Sequence, residues 1–407
     1  MDSAWVVGMI EQIAQFGKEK MGITRLAFSE ADKQARDFVM EIMNTIGLNV
    51  RVDAAGNIIG HLEGRKCQTP VVMTGSHIDT VPEGGKFDGV LGVVSALAAV
   101  QRLKQRGGLS HSLEVVVFAA EESSRFGVAT FGSKAMTGLL TTHTWSRAKT
   151  KEGVSLRDAI ADFGLKMENV KAAVRPSSDM KAFVELHIEQ GRILEHNKMS
   201  IGIVDSIAAP TRCKITVEGL AAHSGTTPMD ERQDALVSAS MIVLSIQEIA
   251  LAQSHYGTVA TVGDLRVRPG VINVIPGLVE LWVDIRGIEH ESIVEVLQEI
   301  KDAISAIAEA QDTPVAMEVI SSEKPVSMNE EISNIVESIC QKKEISHQRL
   351  YSGAGHDAMN MAHIIPSGLI LIPCRGGISH NPDEAVAEAD IASGLEVLTE
   401  TLYQLAK

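Results

Sequence analysis

The chain has 407 residues and a formal charge of −15 at pH 7, from 37 Lys+Arg against 52 Asp+Glu. Its 45% hydrophobic and 22% charged content is that of an ordinary globular protein of about two or three domains, not a disordered chain. The acidic balance excludes sequence-independent nucleic-acid binding and attachment to anionic membrane, since each needs a cationic surface.

The four cysteines, Cys67, Cys213, Cys340 and Cys374, form no C-x-x-C pair, so neither a zinc ribbon nor a disulfide scaffold is expected. No secretory signal is visible at the N-terminus. The apolar run at 90–100, broken by Gly92 and Ser95, falls short of the ~20 residues that span a bilayer. A cytoplasmic enzyme is the expectation.

In chain order, residues 30–46 carry apolar residues at helical spacing and read as an amphipathic helix. Short apolar runs at 71–75, 113–120 and 182–187 read as buried strands, with a crossover helix at 89–105 between the first two. Strand, helix, strand implies an α/β domain with a mostly parallel sheet and helices on both faces. From about residue 211 the character changes. Alternating strands at 212–219, 257–265 and 277–287, helices at 230–253 and 289–311, and a strand at 313–320 give a βαββαβ order. That block, 211–328, reads as an α+β insertion into a discontinuous outer domain of 1–210 and 329–407. The outer domain resumes with a helix, an apolar strand at 364–373 and a final helix.

Polar residues follow the outer-domain strands closely. His77 and Asp79 come directly after VVMTGS, Glu121 and Glu122 after LEVVVFAA, and His187 after AFVEL. Open α/β sheets bind ligands beyond the carboxyl ends of their strands, so these residues converge on one edge. Asp88, in the loop GGKFDG, and His380, in GGISHNP, can reach the same edge. Taken singly, each has a plainer reading. A His at a strand end bonds its neighbours, a Glu pair is a solvated helix start, and an Asp before Gly is a turn residue. Five metal-type residues in separate segments at one edge point instead to coordination. Imidazoles and carboxylates suit Zn²⁺ or a similar ion, and one bridging carboxylate would let the set hold two. Asp79 is placed to accept the second N–H of the His77 imidazole. Of the adjacent Glu121 and Glu122, one can ligate while the other takes a proton from water.

The ordered motifs H-I-D (77–79), D-G (88–89), E-E (121–122), E-L-H-I-E-Q-G (185–191) and G-I-S-H-N-P (377–382) resemble the aminoacylase and carboxypeptidase-type dinuclear metallohydrolases. Within them the chain is similar to the hydantoinase/carbamoylase amidase branch, from the stretch at 22–26 to the last helix. The resemblance implies His77 and His187 on one ion, Glu122 and His380 on the other, Asp88 bridging, and Glu121 as general base and later acid. It implies Zn²⁺ first, with Mn²⁺, Co²⁺ or Ni²⁺ as substitutes.

It further implies that His223, in GLAAHSGTTPM, reaches a neighbouring subunit's site and stabilises the oxyanion, and that Asn273 and Arg286 clamp a substrate carboxylate. Alternation along 280–286 independently puts Arg286 on the open face of its strand, where a plainer reading is a surface Arg paired with Asp284. Gln190 and His356 match substrate positions. The remaining histidines, His111, His143, His196, His255, His290, His347 and His363, read as surface or packing residues. Ser123 and Ser124 stand where the family often has Gly after the Glu pair.

The expected activity is hydrolysis of the ureido C–N bond of an N-carbamoyl-L-amino acid, in a homodimer formed through 211–328 that takes a small carboxylate. Allantoate amidohydrolase is the alternative, and an aminoacylase or dipeptidase the second.

Overall fold

The computed structural model describes residues 1–66 and 70–407; Cys67 and the side chains of His143 and Thr144 lie outside the described residues. The other three cysteines are buried free thiols. Two compact units divide the chain, residues 1–205 with 327–407 and residues 206–326, so the boundaries fall slightly earlier than the sequence reading puts them.

In chain order the strands are β1 (Lys18–Glu19), β2 (Gly22–Ile23), β3 (Asn49–Val52), β4 (Ile58–Leu62), β5 (Val71–His77), β6 (Leu113–Phe118), β7 (Met180–Ile188) and β8 (Ile201–Ile207). They continue with β9 (Ala209–Glu218), β10 (Val259–Arg268), β11 (Leu278–Gly287), β12 (Val315–Ser322), β13 (Val326–Ser327), β14 (His347–Ser352) and β15 (Ser367–Ile372).

The large unit is built on a sheet of order β13-β8-β15-β7-β5-β6-β4-β3, with β14 also paired to β8. Strands β15, β7, β5 and β6 run parallel. On either side β8 and β4 pair antiparallel, and β3 pairs antiparallel with β4. The sheet is therefore mixed rather than mostly parallel. Residues 53–57 are too few for the crossover that a parallel β3–β4 pair would require. The central four strands are buried along almost their whole length. Leu113, Val115, Val117, Val184, Leu186 and Ile370 pack into one cluster with helices Ser3–Ile13, Glu30–Ile46, Val90–Arg106 and Glu388–Ala406. The alternate residues Met73, Val116, Phe183 and Leu369 are buried too, so both faces are covered, as an apolar parallel centre demands. The Glu30–Ile46 helix has the predicted bounds, because Ser29 caps its first turn and Gly47 ends it in the left-handed region.

The small unit has the order β9, helix Ala235–Ala252, β10, β11, helix His290–Gln311, β12, and an antiparallel sheet β10-β11-β9-β12. Cys213, Ile215 and Val217 of β9, with Val279, Leu281, Val283 and Ile285 of β11, meet both helices in one core. The alternation on β11 holds, and Arg286 lies on the other face. The first helix starts at Ala235 rather than 230, because Asp234 caps the amides of Leu236 and Val237. By length and composition alone that helix could cross a membrane, yet Ala235, Ala239, Ile242 and Ile246 are core residues of this unit.

Candidate metal centre

Register brings the site together. His77 ends β5 opposite Phe118 of β6, and His187 of β7 lies opposite Leu371 of β15. Glu121 and Glu122 follow β6 by a few residues, and His380 sits in the loop after β15. Three of the non-glycine residues with positive φ are here, Ala120 (52°), Gln190 (57°) and His380 (55°). Such strain persists where surrounding structure imposes it, and it collects at functional sites.

The imidazole hydrogens are accounted for. His77 donates from Nδ1 to the backbone carbonyl of Asp79 at 3.0 Å, and His187 donates from Nδ1 to the carbonyl of Ile188 at 2.9 Å. Carbonyls only accept, so in the neutral ring each Nε2 presents a lone pair. The Gly89 amide donates to the His187 Nε2 at 3.1 Å, which requires the same tautomer. Both lone pairs face Asp88 Oδ1, at 3.4 Å from His77 and 3.2 Å from His187. The other oxygen, Oδ2, is 3.3 Å from Nε2 of His380, which is 3.1 Å from Glu122 Oε1. Among the described residues, the two groups whose donor atoms cluster closely are His77/Asp88/His187 and Asp88/Glu122/His380. Acceptor atoms converging on one another need a cation between them. Asp88 offers one oxygen to each group, so the donor set fits two ions sharing a bridging carboxylate.

Local charge follows the same pattern. Burial pushes Asp88 up, but the imidazoles of His187, His380 and His77 crowding its two oxygens hold it well below the usual carboxylate range. His380 is raised to about 10 by Asp88 and Glu122. Burial, reinforced by Glu122, Asp357 and Asp79, pushes Glu121 well above its ordinary value despite His77. Glu121 belongs to neither donor group, and its Oε2 is 3.8 Å from His77 Nε2. It is a carboxyl poised to hold a proton.

Asp79 acts differently from the sequence expectation. Its carboxylate stands 3.8 Å from His77 Nδ1 and instead accepts the amides of Glu121 and Glu122, at 3.1 and 3.0 Å. The imidazole N–H goes to the Asp79 backbone carbonyl, while both carboxylate oxygens are taken by the two amides. Gln190 donates to Asp88 Oδ2 at 2.6 Å, and its buried Oε1 has no partner among the described residues. His356 is buried edge-on against the His187 ring, centroids 4.6 Å apart, and bonds Ser352 at 2.8 Å. Burial and the neighbouring His187 hold it well below the usual imidazole range, so it is neutral.

Within the small unit, His223 and Asn273 come together. His223 bridges to Val274, and the Ser224 amide donates to the Asn273 carbonyl at 3.1 Å. Both flank the end of the sheet where Glu218 faces Leu278. Arg286 lies at the opposite end, beside Pro210, eight residues along β11 from Leu278 or roughly 26 Å at ~3.3 Å per residue. It bonds Asp284 at 3.2 and 3.3 Å, as the plainer reading has it.

Sequence reasoning missed Ser379 and Glu384, which contact Asp88 and its backbone. It also missed Glu185, which accepts from Ser76 and the Ala358 amide beneath the site. Ser379 and Glu384 flank His380 within G-I-S-H-N-P-D-E, the signal that could have found them.

A model of peptidase family M20/M25/M40 matches residues 73–404. The N-carbamoyl-L-amino-acid amidohydrolase of a Pseudomonas species is 38% identical over 399 residues, covering 97% of this chain and 96% of that protein. The allantoate amidohydrolase of Escherichia coli is 36% identical over 396 residues, covering 97% and 96%. Among solved structures, a hydantoinase/carbamoylase family amidase from Burkholderia multivorans matches with a TM-score of 0.89 at 32% identity, covering 100% of this chain and 98% of that one.

Proposed function

The chain belongs to peptidase family M20/M25/M40 and is a hydrolase of non-peptide C–N bonds, an amidohydrolase; from that premise we propose that it cleaves the ureido C–N bond of N-carbamoyl-L-α-amino acids. Water adds to the carbamoyl carbon, the C–N bond breaks, and the leaving nitrogen gains a proton. The amino acid is released, and the carbamoyl fragment leaves as CO₂ and ammonia. His77, His187 and Asp88 would hold one divalent ion, with Glu122, His380 and the same Asp88 holding the second. Bound there, the ions supply Lewis acidity and lower the pKa of water.

Glu121 takes the proton from water and returns it to the leaving nitrogen. Its raised proton affinity and its place outside both donor groups support that role. Asp79 holds the two Glu amides, so base and ligand keep their separate directions. Gln190, placed beside Asp88, and His356, packed on His187, form the adjoining wall. Asn273 and Arg286 take the substrate carboxylate, and His223 donates to the developing oxyanion. His223 with Asn273 and Arg286 stand at opposite ends of one strand, which supports their coming from two copies of the chain and hence a homodimer.

The observation that carries the metal reading is the pair of Nε2 lone pairs held on a shared Asp88. A second reading, allantoate as substrate, has the support of the Escherichia coli relative, nearly as similar as the carbamoylase. Both are tested on Mn²⁺-loaded protein by ammonia release from N-carbamoyl-L-methionine and allantoate, with amine release from N-acetyl-L-methionine as the ordinary-amide control. Preferred turnover of the carbamoyl compound is expected. Preference for allantoate selects the second reading, and turnover of the acetyl compound alone overturns both.

A further inference from the structure

Glu384 is a buried carboxylate, 3% exposed, that the reaction outlined above does not use. Its Oε1 accepts the backbone amides of Phe87 at 2.6 Å and Asp88 at 3.1 Å. These residues lead into the helix Val90–Arg106, whose N-cap Gly89 offers no side-chain cap. Both amides precede the N-cap, outside the helix's own ladder, and a buried backbone N–H needs a partner, which a carboxylate from elsewhere supplies. Here it comes from 296 residues away in sequence from Asp88. The other oxygen, Oε2, accepts from Ser379 at 3.0 Å, and the same hydroxyl lies 2.7 Å from Asp88 Oδ2. Gly85 closes over this contact, where an added Cβ would stand 2.3 Å from the Glu384 carboxyl carbon and Oε1.

Glu384 therefore joins two loops, one carrying Asp88 and the other His380. We propose that Glu384 is a positioning residue of the two-ion centre: by holding the Asp88 amide and, through Ser379, the loop of His380, it sets the spacing of the two donor groups. This rests on the metal reading under Proposed function. The side chain touches neither donor group's ligand atoms directly, and it acts through backbone position. Outer contacts of this kind typically change metal affinity by about 10–100-fold.

The test uses the full chain and Mn²⁺ alone, with wild type, Glu384→Gln, Glu384→Ala and Ser379→Ala. Ion stoichiometry is read by elemental analysis after gel filtration, affinity by chelator competition, and folding by circular dichroism without metal. Glu384→Ala is expected to bind Mn²⁺ about 10–100-fold more weakly and to lose one ion per chain first. Glu384→Gln keeps an oxygen for both amides and should recover most of that affinity. Ser379→Ala keeps the amide cap but cuts the strap, and should weaken one ion while sparing the other.

A folded Glu384→Ala with wild-type stoichiometry and affinity overturns the proposal, as does a Gln variant no better than Ala. Should Glu384→Ala fail to fold, Ser379→Ala decides: two ions at wild-type affinity overturn the proposal, and selective loss of one supports it. Wild type that binds no divalent ion removes the metal reading itself. Two ions at equal affinity in both wild type and Glu384→Ala remove only the role of Glu384.

Discussion

Glu121 and Gly89 separate chemistry from architecture at single positions. A Gln at 121 keeps the shape but cannot take a proton, and residue 121 lies outside both donor groups. Glu121→Gln should retain two ions by elemental analysis and lose roughly 10²–10⁴ in kcat, the usual worth of a positioned acid–base group. Activity near wild type would remove Glu121 as the base. Gly89 is different, because it works by lacking a side chain. Its φ is 66°, and an added Cβ would lie 2.5 Å from Cε1 and Nε2 of His77. Gly89→Ala must shift the imbedded His77 ring as well as the backbone, so it should lose more than about 1 kcal/mol of stability. Its Mn²⁺ affinity should fall along with its thermal midpoint. A variant that is destabilised but binds Mn²⁺ like wild type would show that the ring has room to move.

Secondary-structure elements explain which parts of the fold and site were legible. Strands β5, β6, β7 and β15 stand out as apolar runs because both their faces are buried. Strand β3 reads Asn-Val-Arg-Val and is mostly exposed, and β14 carries His, Gln, Arg and Tyr, so neither has a periodicity to detect. Strands β3 and β14 escaped the sequence reading for that reason, whereas β4 and β8 are largely buried apolar runs that it passed over, and with them the mixed character of the sheet. The ligand types at strand ends were readable because coordination restricts residue choice. The Asp79 carbonyl was not, since a backbone acceptor has no sequence signature; Glu384 was within reach beside His380, but its partners Phe87 and Asp88 meet it only in the folded chain.

One tie between elements gives a pH prediction. Glu114 of β6 is nearly fully buried and bonds Arg51 of β3, His61 of β4 and Arg175 ahead of β7. Despite burial, His61, Arg175 and Arg51 lower it from 4.5 to about 2. Its contribution is complete above 4.5 and is lost as pH falls toward 2, a term on the order of 3 kcal/mol. His61 runs the other way, raised above 6.5 by Glu114, so its share is present below 6.5 and lost as pH rises through its folded value. Thermal midpoints of Glu114→Gln measured from pH 3 to pH 9 should show both limbs flattened. An unchanged profile would show that the tie carries no net stability.

For the whole molecule, the charge of −15 governs nonspecific partners and says little about the substrate, whose sign is read by local groups. What matters more is how many copies make one site. A small carboxylate substrate cannot span the length of β11, so it cannot touch Arg286 and Asn273 of the same small unit. If both act on it, a second copy must be present, and the small unit carries a surface suited to one. Along the helix Ala235–Ala252, Val237, Met241, Leu244 and Leu251 are exposed on a helical stripe, with Leu244 at 61% and Leu251 at 72%. The helix thus has an apolar side beyond the one it buries in its own core. Replacing Leu244 and Leu251 together by Glu adds two charges to that stripe and leaves the core residues untouched. The double variant should run as a monomer by light scattering and keep both ions in the large unit. On the shared-site proposal it should lose most of its kcat, because His223 and Asn273 of one copy would no longer reach the other copy's substrate. A monomer with full turnover would rule out the shared site, and a dimer that survives both substitutions would place the interface elsewhere.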